Sequence, residues 1–137
     1  MAIAAMVVAA TAIAPTGYRV GVAEPDSFLR ALSDLDTALD DNIARAKLMK
    51  KRIAQIRRER AAGRSYRQIV ETETSPLLVQ LITASRRALD EPGARIRRTE
   101  ALALHDEGMT MEQIAAKFGV TRQRVSGLLR DARSDPA

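Results

Sequence analysis

Arg122, Gln123, Arg124, Ser126 and Arg130 crowd one short stretch near the end of the chain. Guanidinium, carboxamide and hydroxyl groups grouped in this way suit a ligand that is both anionic and lined with hydrogen-bonding edges. An arginine fork matches a phosphate or the O6/N7 edge of guanine, and glutamine matches the N6/N7 edge of adenine. The same stretch carries Val125, Leu128 and Leu129 at helical spacing. One face of a single helix is therefore apolar and the other is covered in donors. The chemistry on offer is binding, with no nucleophile, base or metal ligand set among these residues.

Such a helix needs a support, and the preceding residues supply one. In Thr110–Arg133, TMEQIAAKFGVTRQRVSGLLRDAR, two short helices are predicted with a tight turn between them. Ile114, Ala115, Phe118 and Val120 form the apolar underside of the first helix and the turn. Gly119 falls where a chain leaving a helix takes positive φ. Ala115 is small where two helix backbones must cross. Thr110 with Gln113 forms a capping box, and Thr121 is a hydroxyl N-cap for the second helix. The pattern is that of a helix-turn-helix.

The run IAAKFGVTRQRVSGLLR resembles the helix-turn-helix of bacterial transcription factors, above all the fourth-region DNA-binding element of sigma factors. It is also similar to the C-terminal DNA-binding part of site-specific resolvases. Ile114, Ala115, Phe118, Gly119, Val120, Val125 and Leu128 carry the likeness, which covers roughly the last forty residues, one three-helix module in size. It implies double-stranded DNA binding. Nothing upstream resembles the parts of a sigma factor that hold polymerase. By matching position, the second helix enters the major groove N-terminus first, with Arg122, Gln123 and Ser126 reading bases. Thr110, Lys117, Thr121, Arg124 and Arg130 are the phosphate candidates, joined by backbone amides at the helix starts. Gly127, costly inside a helix, fits either a close backbone approach to DNA or close helix packing. A lone surface arginine is ordinarily just solvated; the cluster on a helix of this pattern shifts the balance.

Composition points the same way. The 137 residues contain 22 Lys+Arg against 17 Asp+Glu, a net charge of +5 that suits a polyanionic partner. Aromatics are only 3%, too few for a platform that stacks single-stranded bases. There is no cysteine and one histidine, so neither a disulfide framework nor a zinc site is expected. No cofactor is implied, and the expected compartment is the cytoplasm, at the nucleoid. An enzyme is not expected: a resolvase would need a catalytic domain with a nucleophilic Ser or Tyr among arginines. Ser65-Tyr66 beside basic residues reads as an ordinary helix start. His105 has the simplest role, sitting at the carbonyl end of a helix.

Taken in order, residues 1–25 read as a disordered or uncertain extension. The apolar run 1–14 is too short for a membrane span, which takes about 20 residues, and lacks the basic start of a signal peptide. Val20 or Val22 lies near an alternative start. Residues 26–92 read as a helical body and 94–133 as the DNA-binding module, all-α throughout.

In the body, a long helix is predicted from Asp26 to about Ala62. Phe28, Leu32, Leu35, Leu39, Asn42, Ala46, Met49, Ile53 and Ile56 form a heptad seam with Asn42 its polar interruption. Asp34, Asp36, Asp40 and Asp41 crowd its first half; Arg45, Lys47, Lys50, Lys51, Arg52, Arg57, Arg58 and Arg60 crowd its second. A parallel in-register pair would set Arg45 against Lys50 and Arg52 against Arg57, whereas an antiparallel pair matches acid to base. Two outcomes stand equally: a homodimer through residues 28–56, or a seam used inside the monomer.

Ser65 is expected to cap a short helix, and Ser75-Pro76 to open another, strongly apolar and central to the core, that stops at Glu91-Pro92-Gly93. Residues 62–70 resemble 107–115, and Leu78, Leu81 and Ile82 align with Val125, Leu128 and Leu129. That suggests a degenerate first helix-turn-helix whose leucines cannot read bases. Ile96, Ala101, Leu102 and Leu104 are the expected inner side of the helix supporting the final module, and Arg95, Arg97 and Arg98 its basic start. The expected function is a DNA-binding transcriptional regulator, with RNA polymerase as a further partner. The alternative is a helical adaptor that binds polymerase or another regulator.

Overall fold

Asp26 starts the first helix as a capping residue, its carboxylate accepting from the Leu29 N–H at 2.8 Å. No glycine or proline follows until Gly63, and α1 runs unbroken over Ser27–Ala61. At 1.5 Å per residue it is about 52 Å long. The computed structural model describes residues 26–135; the extension expected at 1–25 lies outside them. Within the described residues five more helices follow and no strand: α2 (Tyr66–Thr72), α3 (Leu78–Arg87), α4 (Asp90–Asp106), α5 (Met111–Phe118) and α6 (Arg122–Ser134). The fold is all-α.

The chain uses α1 as a spine. α2 and α3 lie against it, α4 packs along it, and α5 and α6 sit on the far side of α4. Arg95 of α4 donates to Asp34 at 2.8 Å, and the Asn42 amide donates to the Ser85 carbonyl of α3 at 3.0 Å. Asn42 thus serves the monomer, its oxygen accepting from Arg45.

The heptad seam divides into two stripes. Phe28, Leu35, Asn42, Met49 and Ile56, one per heptad, turn at least partly inward beside fully buried Ala31. Leu32, Leu39, Ala46 and Ile53, the alternate positions, remain exposed. Arg45 and Arg52 also turn inward, Arg52 being buried, instead of flanking an intermolecular seam. The reason is geometric: helices returning along one side of α1 cover the stripe beneath them and leave the neighbouring stripe open.

Three local expectations need correction. Ser75 does not cap α3. Its N-cap is Leu77, whose N–H donates to Gln80 Oε1 at 2.8 Å while Glu73 Oε1 takes the Leu78 N–H at 2.7 Å. Glu91-Pro92-Gly93 does not end a helix: α3 stops at Arg87, and Pro92 lies in the first turn of α4. A first-turn proline costs no helix hydrogen bond, because those amides lack intrahelical acceptors anyway. Nor is α3 central to the core. Only Leu81 is buried, while Val79 and Ile82 are exposed.

The two segments aligned as a repeat share local geometry in their first half and part in their second. Arg64 N–H donates to Glu59 O at 3.2 Å as Met109 N–H does to Leu104 O at 3.0 Å. The Ser65–Gln68 and Thr110–Gln113 capping boxes have the same pair of distances, 2.9 and 3.2 Å. Ile69 and Ile114 are buried at equivalent points. After that, Glu73–Leu77 replaces the short turn Gly119–Thr121, and the C-cap Glu73 is extended (φ −64°, ψ 133°) where Gly119 is left-handed. The chain therefore cannot double back, and α3 lies on α1 instead of on α2. Counting from the helix starts, buried Leu81 corresponds to Val125, not to Leu128 as the sequence alignment had it.

Candidate nucleic-acid interface

Gly119 sets the geometry of the module. At φ 66°, ψ 34° it ends α5, its N–H donating to Ala115 O, and Val120 N–H returns to the same carbonyl at 3.1 Å. The left-handed conformation costs an L-residue about 1–2 kcal/mol, so glycine is the natural occupant. Thr121 then restarts the chain, its hydroxyl oxygen accepting from Arg124 N–H at 3.1 Å. Two caps and one glycine thus fix where α6 begins and how it leaves α5.

A continuous apolar core holds α6 from behind. Ala101 of α4, Ile114 and Ala115 of α5, and Val125, Leu128 and Leu129 of α6 form one buried cluster. Leu102, Leu104, Met109, Met111 and Phe118 close its edges. Ala115 sits in the tight contact that its size anticipates, whereas Val120, expected underneath, remains open at the rim. Arg98 fastens the ends, donating to Glu91 at 3.0 Å and to Asp135 at 3.1 Å. Its pKa is raised, chiefly by the bond to Glu91.

The opposite side of α6 is left to solvent. Arg122, Gln123 and Ser126 are all exposed, and so are Thr110, Lys117, Thr121, Arg124 and Arg130. Gln123 and Ser126 lie one turn apart on the same face, with Arg130 further along. Thr110 and Thr121 both use their oxygen as an acceptor for a helix amide, which leaves each hydroxyl proton for an outside acceptor. Gly127 is not required by packing. A Cβ built there meets only the mobile end of Arg130, Nη2, at 3.7 Å. Of its two expected explanations, helix packing is therefore removed.

One participant could not be found from sequence. Glu112, in the first turn of α5, forms an ion pair with Arg122, its Oε1 2.6 Å from Nε. No local spacing rule joins residues on either side of a turn, so only the folded module shows the pair. The contact engages Nε and leaves the outer Nη1/Nη2 edge of the guanidinium open, the edge an arginine can offer to a guanine or a phosphate. His105 is half-buried in the last turn of α4, its Nδ1 3.1 Å from the Met109 carbonyl, an interior contact with no ligand in view.

Residues 93–136 match the family model of the homeodomain-like domain. The C-terminal part is a helix-turn-helix module of the DNA-binding kind. No curated protein and no solved structure matches the chain. The matched span begins in the first turn of α4 and takes in α5 and α6, the same three helices that share the buried cluster. Among the described residues no helix is long and apolar enough to cross a membrane, and no group of acidic, histidine or cysteine residues is placed to hold a metal.

Proposed function

We propose that the protein is a sequence-specific double-stranded DNA-binding regulator of transcription that works at the nucleoid. α6 lies in the major groove, with Arg122, Gln123 and Ser126 on base edges. Thr110, Lys117, Thr121, Arg124 and Arg130 hold phosphates on either side. The observation that carries this reading is the two-sidedness of α6: Val125, Leu128 and Leu129 lock one face into the core while the donor-rich face is wholly exposed. The match of residues 93–136 to the homeodomain-like domain supports the same target.

A single module of this size grips DNA weakly, so a second contact completes the complex, from a second copy of the chain or from RNA polymerase. The test is selection of preferred sites from random duplexes, followed by titration of Arg122→Ala. Loss of about 1–3 kcal/mol on the preferred site with relaxed discrimination supports a base reader. Equal loss on random DNA assigns Arg122 to the backbone only. The exposed Val79 and Ile82 of α3 favour a second reading, a helical adaptor for polymerase or another regulator. Absence of any salt-dependent shift with duplex DNA would decide for it.

A further inference from the structure

The outer stripe of α1 is apolar, regularly spaced and uncovered. Leu29, Leu32, Leu39, Ile43, Ala46 and Ile53 recur at steps of three, four and seven, with Asp36 and Lys50 filling the two vacant places. Leu29 is 52% exposed, Ile43 55% and Leu39 41%. This is a second heptad seam beside the one consumed within the monomer, and α2, α3 and α4 do not cover it. An apolar stripe of such length and regular spacing is the kind of surface that marks a binding site for a partner of matching shape.

The charges identify that partner. The stripe carries Asp36 with Asp40 beside it toward one end, and Lys50 with Lys47 beside it toward the other. At the Asp36 end an open groove is lined by Leu29, Leu32, Asp34 and Asp36 together with Arg30 and Arg95, with Asp34 already paired to Arg95. A helix that fills it should bring leucine or isoleucine at heptad spacing together with a basic flank. The basic half of α1 itself fits that description. A parallel copy would bring like charges together along the whole seam, which opposes association.

We propose that α1 pairs with α1 of a second copy in antiparallel register, with Ile43 near the two-fold axis and each Asp36 close to the partner's Lys50. The dimer does not depend on the DNA reading, but it has a consequence for it. Asp34 binds Arg95, so each C-terminal module rides on the acidic half of its own α1. Antiparallel pairing places one module toward each end of a spine about 50 Å long. Two-fold symmetry then calls for an inverted-repeat site whose halves are about one helical turn of DNA or more apart.

The chain contains no cysteine, which permits a clean test on the full-length protein. Sedimentation equilibrium should show a dimer at micromolar concentration. Under oxidation Ile43→Cys should cross-link to itself and Leu29→Cys should not, while a mixture of Leu32→Cys with Ile53→Cys should yield the mixed species. Ile43→Glu should give a monomer with an unchanged helical circular dichroism spectrum, because that side chain has no interior role. A strict monomer overturns the proposal. Self-cross-linking of Leu29→Cys overturns the antiparallel register. Dimerisation seen only after removal of residues 1–25 also overturns it, since the chain's own extension would then be the occupant. Duplex binding measured separately on Ile43→Glu distinguishes failure of the dimer from failure of the DNA reading.

Discussion

Glu112→Gln keeps the shape of a side chain while removing the charge that holds Arg122. The ion pair is short, at 2.6 Å, but its side chains are 61% and 65% exposed, so solvent screening limits its worth. Exposed pairs contribute about 0.2–1 kcal/mol, a factor of roughly 1.4 to 5 in an equilibrium constant. Two effects then separate by sign. Loss of a carboxylate beside a polyanion raises affinity for every duplex, and this gain shrinks as salt increases. Loss of the constraint on Arg122 lowers affinity only where its outer edge reads a base. Fluorescence anisotropy titrations on a preferred and a scrambled duplex should therefore show tighter scrambled binding and a specificity ratio reduced by about 1.4- to 5-fold. In an Arg122→Ala background the same replacement should leave the ratio unchanged, because the partner is gone. A ratio unaltered by Glu112→Gln in the wild-type background would refute the view that Glu112 aims Arg122.

Gly127→Ala should stabilise the free protein by up to about 1 kcal/mol in thermal or urea unfolding, since a helical glycine is replaced and the added methyl meets only the flexible end of Arg130 at an ordinary contact distance. If the DNA backbone passes close to it, the same variant should bind duplex more weakly, and unchanged binding would remove Gly127 from the interface. Gly119→Ala should destabilise by about 1–2 kcal/mol through backbone strain alone, there being nothing within contact distance of the new methyl. Ile114→Ala removes a fully buried side chain and should cost about 2–5 kcal/mol in urea unfolding, with DNA binding lost in proportion to folding. Asn42→Ala should cost about 0.5–1.5 kcal/mol by removing the tie to Ser85, and no loss would show that packing alone seats α3.

The final module was legible because its information is local. Capping boxes are written over four residues, a left-handed glycine announces itself, and Val125, Leu128 and Leu129 share a face by helix period alone. The same kind of signal located α1 and the Ser65 cap of α2. Local signals misled where two principles competed. Ser75-Pro76 has the form of a helix start, yet Glu73 and Gln80 hold the amides of Leu77 and Leu78 and move the start onward. Pro92-Gly93 has the form of a helix stop, yet it opens α4, where a missing amide costs nothing.

Periodicity alone determined that the chain is helical, that α1 is long, and that α6 has one apolar and one cationic face. It could not say which of two adjacent apolar stripes on α1 the monomer would use, because both satisfy the same spacing; the return path of α3 and α4 chose between them. Nor could it pair Glu112 with Arg122, or separate the first helix-turn-helix-like unit from the last. Those outcomes depend on the direction in which a chain leaves a turn. A short link through Gly119 folds α6 onto α5, whereas the longer extended link at Glu73–Leu77 carries α3 away to a different surface. Residue type and spacing act over one or two helical turns, while the meeting of distant faces is settled only when the whole chain must cover its apolar surface at once.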